Sequence, residues 1–328
     1  MQVMRMALLL GLGIACAVCG GAEVFCAPET YKFNPDGTVI EFGGKPYGKL
    51  AESNAVFSKE KHAVSLCAAR NETVAFLVVV AGQARDVAVA LDGLKGSSGE
   101  VPASRVEVSL VGFVQAGKEK PGYFPDVCVP LAMLGGKFSV PCDTKGLAAP
   151  PDQKVGLALV EIGVPADAKP GSYSGTLKVD GGAQAEFKVD LTVWDFAMPA
   201  APSIVFDVNS YSSPVSSLGI KDNQNPYQPS PKEVIEGEHK FYKLFNRHRQ
   251  YLNIMPYHSQ RGAPRYAPML TGDGPVTKID WKSWDERYAP VLSGEIFDDK
   301  QPPPYFYLPF NLHWPYGYSH DASMKDQR

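Results

Sequence analysis

Phe187-Lys188-Val189-Asp190-Leu191-Thr192-Val193 carries an apolar side chain at every odd position and a polar one at every even position. Successive side chains on an extended strand point to opposite faces, so this run buries one face and wets the other. Short apolar runs recur upstream at Val74–Val80, Val87–Leu91, Val106–Val114, Val155–Ile162 and Tyr173–Val179, and several of them share this alternation. Glycine and proline break the runs at Gly43-Gly44, Gly82, Pro170-Gly171 and Gly181-Gly182, which are turn positions between strands. Many short strands with one wet face and no helical period predict an antiparallel β-sandwich over residues 28–200.

The pattern changes after Trp194-Asp195-Phe196-Ala197-Met198-Pro199-Ala200-Ala201-Pro202, a proline-punctuated linker. Ile204–Val208 is a short apolar run ending at Asn209. Ser230-Pro231-Lys232-Glu233 then fits a helix start, with serine as N-cap, proline at N1 and glutamate completing a capping box. Val234, Phe241, Phe245, His248 and Leu252 follow at helical spacing. Asn253–Tyr257 reads as a second strand. Asp280 is placed to cap a second helix with Trp281, Trp284, Tyr288 and Leu292 on one side, and Tyr305–Phe310 reads as a third strand. Strand and helix alternating over 203–328 predict the βα repeat of a parallel sheet or barrel. A complete (β/α)8 barrel needs about 250 residues, whereas 126 follow Pro202. The expected fold class is thus an all-β sandwich followed by an incomplete α/β (TIM-type) barrel segment of three βα units, and the polar ending Met324–Arg328 reads as a cut.

The N-terminus has the form of an export signal over 1–22. Arg5 supplies the positive charge, Met6–Val18 the apolar stretch, and Gly20 and Ala22 the small residues of a cleavage site, with cleavage between Ala22 and Ala27 left open. The apolar run is too short to span a bilayer. A lipidated cysteine fits less well, because neither Gly13 before Cys16 nor Cys16 before Cys19 is the Leu-type residue expected three places ahead. The expected location is periplasmic or extracellular.

A formal charge of −3 and a pI near 6.1 offer no electrostatic footprint for nucleic acid or anionic membrane. Cys26, Cys67, Cys128 and Cys142 remain beyond the signal, without CxxC spacing, and the six histidines lack HExxH or another ligand spacing, so no metal or cofactor is implied. Gly135-Gly136 would fold back a hairpin and bring Cys128 near Cys142; a disulfide there and two free cysteines both remain open.

Several motifs coincide in order. Ala69-Arg70-Asn71-Glu72-Thr73-Val74-Ala75-Phe76 precedes an early strand, and Tyr123-Phe124-Pro125-Asp126-Val127-Cys128-Val129-Pro130-Leu131 lies mid-sandwich. Val164-Pro165-Ala166-Asp167-Ala168-Lys169-Pro170-Gly171-Ser172-Tyr173-Ser174-Gly175 leads into a hairpin, and Val193-Trp194-Asp195-Phe196 closes the sandwich. Asp280-Trp281, Trp284-Asp285-Glu286-Arg287-Tyr288, Tyr307-Leu308-Pro309-Phe310-Asn311 and Trp314-Pro315 follow. From about residue 38 to 320 this series resembles the glycoside hydrolase family 123 proteins and their relatives. One departure is the aliphatic Gly156-Leu157-Ala158-Leu159, where an aromatic often precedes the VP-x-x-A-K-P-G segment. The resemblance implies an N-terminal β-sandwich, a C-terminal (β/α)8 barrel and removal of terminal β-linked N-acetylgalactosamine. It also implies substrate-assisted, retaining chemistry by an adjacent carboxylate pair beyond the third barrel strand, one of the exceptions to the two-carboxylate scheme. Nothing in this chain corresponds to that pair, so the catalytic set here is none. The implied partner is a glycan or glycoconjugate, N-acetylhexosamine-containing by the family's example. The alternative is a non-catalytic carbohydrate-binding or structural surface protein.

Two acid pairs invite a catalytic reading. Asp285-Glu286 falls on an amphipathic helix, where neighbours diverge by about 100° and barrel helices form the outer ring; a solvated face or an ion pair with Arg287 is expected. Asp298-Asp299 precedes Pro302-Pro303-Pro304 in a polar loop, where a surface role is expected. Barrel sites form at the C-terminal ends of strands. Those ends are Asn209 and Tyr211, then His258, Gln260 and Arg261, then Asn311, His313 and Trp314. Amides, imidazole and guanidinium suit sugar hydroxyls and aromatic faces suit sugar C–H surfaces, so the binding candidates are Asn209, Tyr211, His258, Arg261, Asn311 and Trp314.

Overall fold

The computed structural model describes residues 21–117, 122–201, 203–210, 213–223, 229–254, 269–271 and 278–306. The chain divides into two compact units, Met1–Met198 and Pro199–Arg328.

The first unit contains eleven principal strands: β1 (Glu23–Pro28), β2 (Phe57–Ser58), β3 (Ala63–Arg70), β4 (Thr73–Ala81), β5 (Ala84–Leu91), β6 (Val106–Ala116), β7 (Gly122–Pro130), β8 (Phe138–Val140), β9 (Val155–Gly163), β10 (Gly171–Asp180) and β11 (Ala185–Ala197). Five form one sheet in the order β1-β4-β9-β6-β7, antiparallel throughout. The second sheet has eight strands, six in the order β8-β5-β10-β11-β3-β2 plus the hairpin Gly93–Gly96/Gly99–Pro102 against β10. Each apolar run quoted above for the sandwich lies within one of these strands. The alternation is realised literally in β11, where Phe187, Val189, Leu191 and Val193 are buried while Lys188 and Thr192 are exposed. Both sheets contribute to one core, including Phe25, Phe76, Leu157, Ile162, Leu177 and Leu191, as in a β-sandwich.

Three expectations need correction here. The sheet is not wholly antiparallel, because β11 runs parallel to β3 with Val189 opposite Val64; the two strands are far apart in sequence, and that separation is what a parallel connection requires. The sandwich also starts before residue 28: β1 pairs along β4, and its Phe25, Cys26 and Ala27 are fully buried. Third, Gly135-Gly136 turns the chain without making a hairpin. Leu131–Leu134 forms a 3-10 turn closed by left-handed Gly135, and β8 then joins the opposite sheet from β7. Cys128 on β7 and Cys142 just beyond β8 therefore belong to different sheets, and both thiols are free. Gly156 on β9 allows that crossing, since a Cβ there would lie 2.9 Å from Phe138 Cε2 and closer still to Val140.

In the second unit, β12 (Asp207–Ser210) and β13 (Tyr251–Ile254) pair in parallel, with α1 (Lys232–Arg247) between them in sequence. Helix α2 (Lys282–Leu292) follows a small antiparallel hairpin, Met269–Thr271 with Lys278–Asp280, which the periodicity did not predict. The first strand is three residues later than the apolar run suggested, because Ile204, Val205 and Phe206 stay exposed ahead of the pairing. Helix α1 stops at Arg247, so Leu252 belongs to β13 and not to the helix. Tyr305 and Phe306 are in no strand, and the rest of the expected third strand lies outside the described residues. Among the described residues no helix is long and apolar enough to cross a membrane. The export signal itself lies outside them, apart from Gly21 and Ala22.

Candidate functional site

Strands β12 and β13 read Asp207-Val208-Asn209-Ser210 and Tyr251-Leu252-Asn253-Ile254, in register with Asp207 opposite Tyr251 and Asn209 opposite Asn253. Alternation sorts them onto two faces. Leu252 and Ile254 pack with Tyr242 of α1, Val291 of α2 and Phe297. Asp207, Asn209, Tyr251 and Asn253 share the opposite face. Parallel sheets are usually covered on both faces and apolar throughout, so a polar face on a parallel pair is the informative departure.

That face is organised around Asn253, which is 2% exposed. Its Nδ2 donates to Asp207 Oδ1 at 2.6 Å and to Tyr305 Oη at 3.1 Å. The Tyr305 ring meets Tyr251 edge-on with centroids 6.2 Å apart. Burial first, and then the Asp299 carboxylate, raise the Tyr251 phenol above its ordinary pKa. Asn209 Oδ1 is shut off from solvent and, among the described residues, meets no hydrogen-bond donor. A buried acceptor without a donor costs roughly 1–3 kcal/mol, which a ligand donor would recover. Amide, carboxylate and phenol together suit a neutral, hydroxyl-rich ligand. Among the described residues no three His, Cys, Asp or Glu side chains gather as a metal would require.

Behind the pair, α1 and α2 are tied by an ion pair that sequence reasoning missed. Arg287 Nε donates to Glu238 Oε2 at 2.7 Å and Nη2 to Glu238 Oε1 at 2.5 Å. Nη1 reaches the Ser230 hydroxyl at 3.0 Å and approaches Asp222 at 3.9 Å. His239 Nε2 donates to the Arg287 carbonyl at 2.7 Å, which fixes the proton on that nitrogen. Arg287 thus turns inward, while Asp285 and Glu286 remain exposed; the surface reading of the acid pair holds, its pairing with Arg287 does not. Ser230 does not cap α1 either. Its hydroxyl donates to Asp222 Oδ2 at 3.0 Å, and Pro231 occupies the N-cap position without a side-chain bond. Asp280 does hold the start of α2, accepting from Lys282 N at 3.0 Å. Asp298 and Asp299 are exposed, and Asp298 pairs with Arg247 at 3.1 Å.

Of the sequence candidates, Asn209 lies within β12 as its third residue, and not past the strand end. Tyr211, His258, Gln260, Arg261, Asn311, His313 and Trp314 lie outside the described residues. Asp207 and Asn253 were not among the candidates. Their signal was period-two polarity inside strands expected to be buried on both faces.

No protein-family model matches the chain, and no curated protein does. Among solved structures, a family 123 glycoside hydrolase from Clostridium perfringens, described in terms of glycolipid glycan hydrolysis, superposes with a TM-score of 0.58 at 12% identity. The match covers 84% of this chain and 46% of that one, so this chain spans less than half of that structure's length. CaCohA2 from Clostridium acetobutylicum matches at TM-score 0.18 and 14% identity, over 39% of this chain and 86% of its own. The N-terminal domain of PorA matches at 0.21 and 9%, over 44% and 96%. The last two are too distant to inform the fold. The first is a likeness of fold, and it extends past the sandwich, whose unit ends at Met198 of 328 residues.

Proposed function

We propose that this chain is the β-sandwich and opening βα units of a family 123-like glycoside hydrolase that acts on N-acetylhexosamine-containing glycoconjugates. The observation that carries the reading is the fold likeness, with a TM-score of 0.58 over 84% of the chain. The parallel β12–β13 pair with an intervening helix supports it, being the unit from which a (β/α)8 barrel is built. The face away from the helices would be the barrel interior, and it carries Asp207, Asn209 and Asn253. Tyr211, His258, Arg261, Asn311 and Trp314 would add to the same ligand surface. The adjacent carboxylates of substrate-assisted hydrolysis are assigned to no residue of this chain. Export is part of the proposal: cleavage after Ala22 leaves β1 whole, whereas cleavage after Ala27 would remove most of a buried strand.

The test is saturation-transfer NMR of the 328-residue chain with N-acetylgalactosamine. Transfer to the acetamido and ring protons is expected, with loss on Asn209→Ala at unchanged melting temperature. Absence of transfer to the parent chain, or transfer unaffected by Asn209→Ala and Asp207→Asn, removes the reading. The same chain is expected not to hydrolyse an aryl N-acetyl-β-galactosaminide. Reading the gene past the Arg328 codon separates an enzyme from the non-catalytic alternative, since only the enzyme requires further βα units with adjacent carboxylates.

A further inference from the structure

Strand β11 ends in a feature that the barrel reading leaves unused. Its Val193 pairs with Ala68 of β3, yet its Ala197 pairs with Arg70, so β11 gains two residues in a bulge at Trp194-Asp195-Phe196. Bulges re-aim side chains and recur next to binding sites. Here the bulge holds Trp194 and Phe196 outside the core, 45% and 50% exposed, with rings 5.7 Å apart and 16° from parallel. Leaving two aromatics half in water forgoes burial that either ring would gain in a core.

The surroundings indicate what covers them. Trp194 continues the outer face of β11 that carries Lys188, Asp190 and Thr192. Thr192 stands opposite Ser172 on β10, which sets two exposed residues with hydroxyls side by side two positions before Trp194 on β11. Asp190 accepts from Lys188 Nζ at 2.9 Å and from Ser174 Oγ at 2.6 Å. Asp195, in the bulge between the two rings, lies 3.8 Å from Arg70 Nη2, and Glu186 stands opposite Lys178, so the charges around the rings occur in opposite pairs and favour neither an anionic nor a cationic partner. A sugar ring has apolar C–H faces for the aromatics and a hydroxyl edge for the threonine and serine, and an uncharged one fits a charge-matched surface. A protein partner would call for a wider apolar patch than these two rings and the partly exposed Met198, bordered by hydroxyls. We propose that the outer face of the larger sheet at Trp194 and Phe196 is a docking surface for a neutral oligosaccharide. It lies in the first unit and holds whether or not the polar face of β12 and β13 binds sugar.

The indole N–H resonance of Trp194, identified by its disappearance in Trp194→Phe, reports on this surface alone. A β-linked glucose trimer and a β-linked N-acetylhexosamine trimer are titrated into the full chain, with a sulfated trisaccharide as the charged comparison. A neutral trimer is expected to shift that resonance. Its affinity should fall about tenfold or more in Trp194→Ala, the effect of losing one stacking partner. Trp194→Phe should stay within about threefold, because a phenyl ring keeps a stacking face. Phe196→Ala gives a second variant should Trp194→Ala fail to fold. The proposal is overturned if neither neutral trimer moves the resonance at about 10 mM, or if both alanine variants bind like the parent. A response to the sulfated sugar alone overturns it too, as does self-association that Trp194→Ala abolishes. Loss of sugar binding only in Asn209→Ala would sink this surface and leave the barrel reading standing.

Discussion

Removing the Arg287 guanidinium tests whether the α1–α2 ion pair holds the second unit together. The Arg287 and Glu238 side chains are 3% and 0% exposed, and two charge-assisted hydrogen bonds of 2.7 and 2.5 Å join them. Arg287→Met leaves Glu238 as an uncompensated buried carboxylate and removes the guanidinium that lies 3.9 Å from Asp222. Breaking a buried pair from one side costs about 3–5 kcal/mol, far more than the pair itself contributes. Glu238→Gln should cost less, because Asp222 at 3.9 Å still faces the guanidinium. Arg287→Lys should fall between, since an ammonium cannot make the forked contact. Glu238→Leu combined with Arg287→Met should regain at least about half of the single-variant loss, because no unpaired carboxylate then remains on α1. Urea unfolding is followed by tryptophan fluorescence in a Trp194→Phe background, where the remaining tryptophans, Trp281, Trp284 and Trp314, all belong to the second unit. With a slope of about 1–3 kcal/mol per M, Arg287→Met should lower the midpoint by roughly 2 M or abolish the transition. A loss below about 1 kcal/mol, the size of a surface pair, would refute the reasoning.

Gly156→Ala should destabilise the sandwich by about 1–3 kcal/mol through overpacking, because Phe138 and Val140, both buried, block the new Cβ; an unchanged first-unit melting temperature would show that β8 can retreat. In the native protein at pH 8, iodoacetamide should modify exposed Cys67 and spare Cys26, whose thiol is fully buried and held far above its ordinary pKa by desolvation; peptide mapping that finds both alkylated at similar rates would contradict the burial of β1. Asp36 accepts from the Thr38 backbone N–H at 2.9 Å and hydroxyl at 2.8 Å, and these bonds lower its pKa. A lowered carboxylate stabilises the fold above its unfolded pKa of about 3.9 and loses that contribution as pH falls through the folded value. The acid limb of melting temperature against pH should therefore be shallower in Asp36→Asn, and identical limbs would exclude the effect.

Much of this protein was legible in local pattern. Phe187–Val193 could only be a strand with one wet face, because a period of two fits no helix, whereas a continuous apolar run such as Val74–Val80 was marked as a strand by its short length and its flanking turn residues. The start of α2 just after Asp280 and the exposure of Asp285 and Glu286 followed from capping and helical spacing. What pattern could not supply was partnership at a distance. The parallel pairing of β3 with β11, the passage of β8 into the opposite sheet and the separation of Cys128 from Cys142 depend on which strands meet, and alternation is the same whichever neighbour a strand finds. Ser230 has every local attribute of an N-cap, yet its hydroxyl accepts from Arg287 and donates to Asp222 once α1 and α2 pack. Glu238 reads as a solvent residue until Arg287, 49 positions away, makes its burial tolerable. Asp207 and Asn253 show the same division. Their alternation was written in the chain, but only the parallel register of β12 and β13 turned two unremarkable polar residues into one polar face.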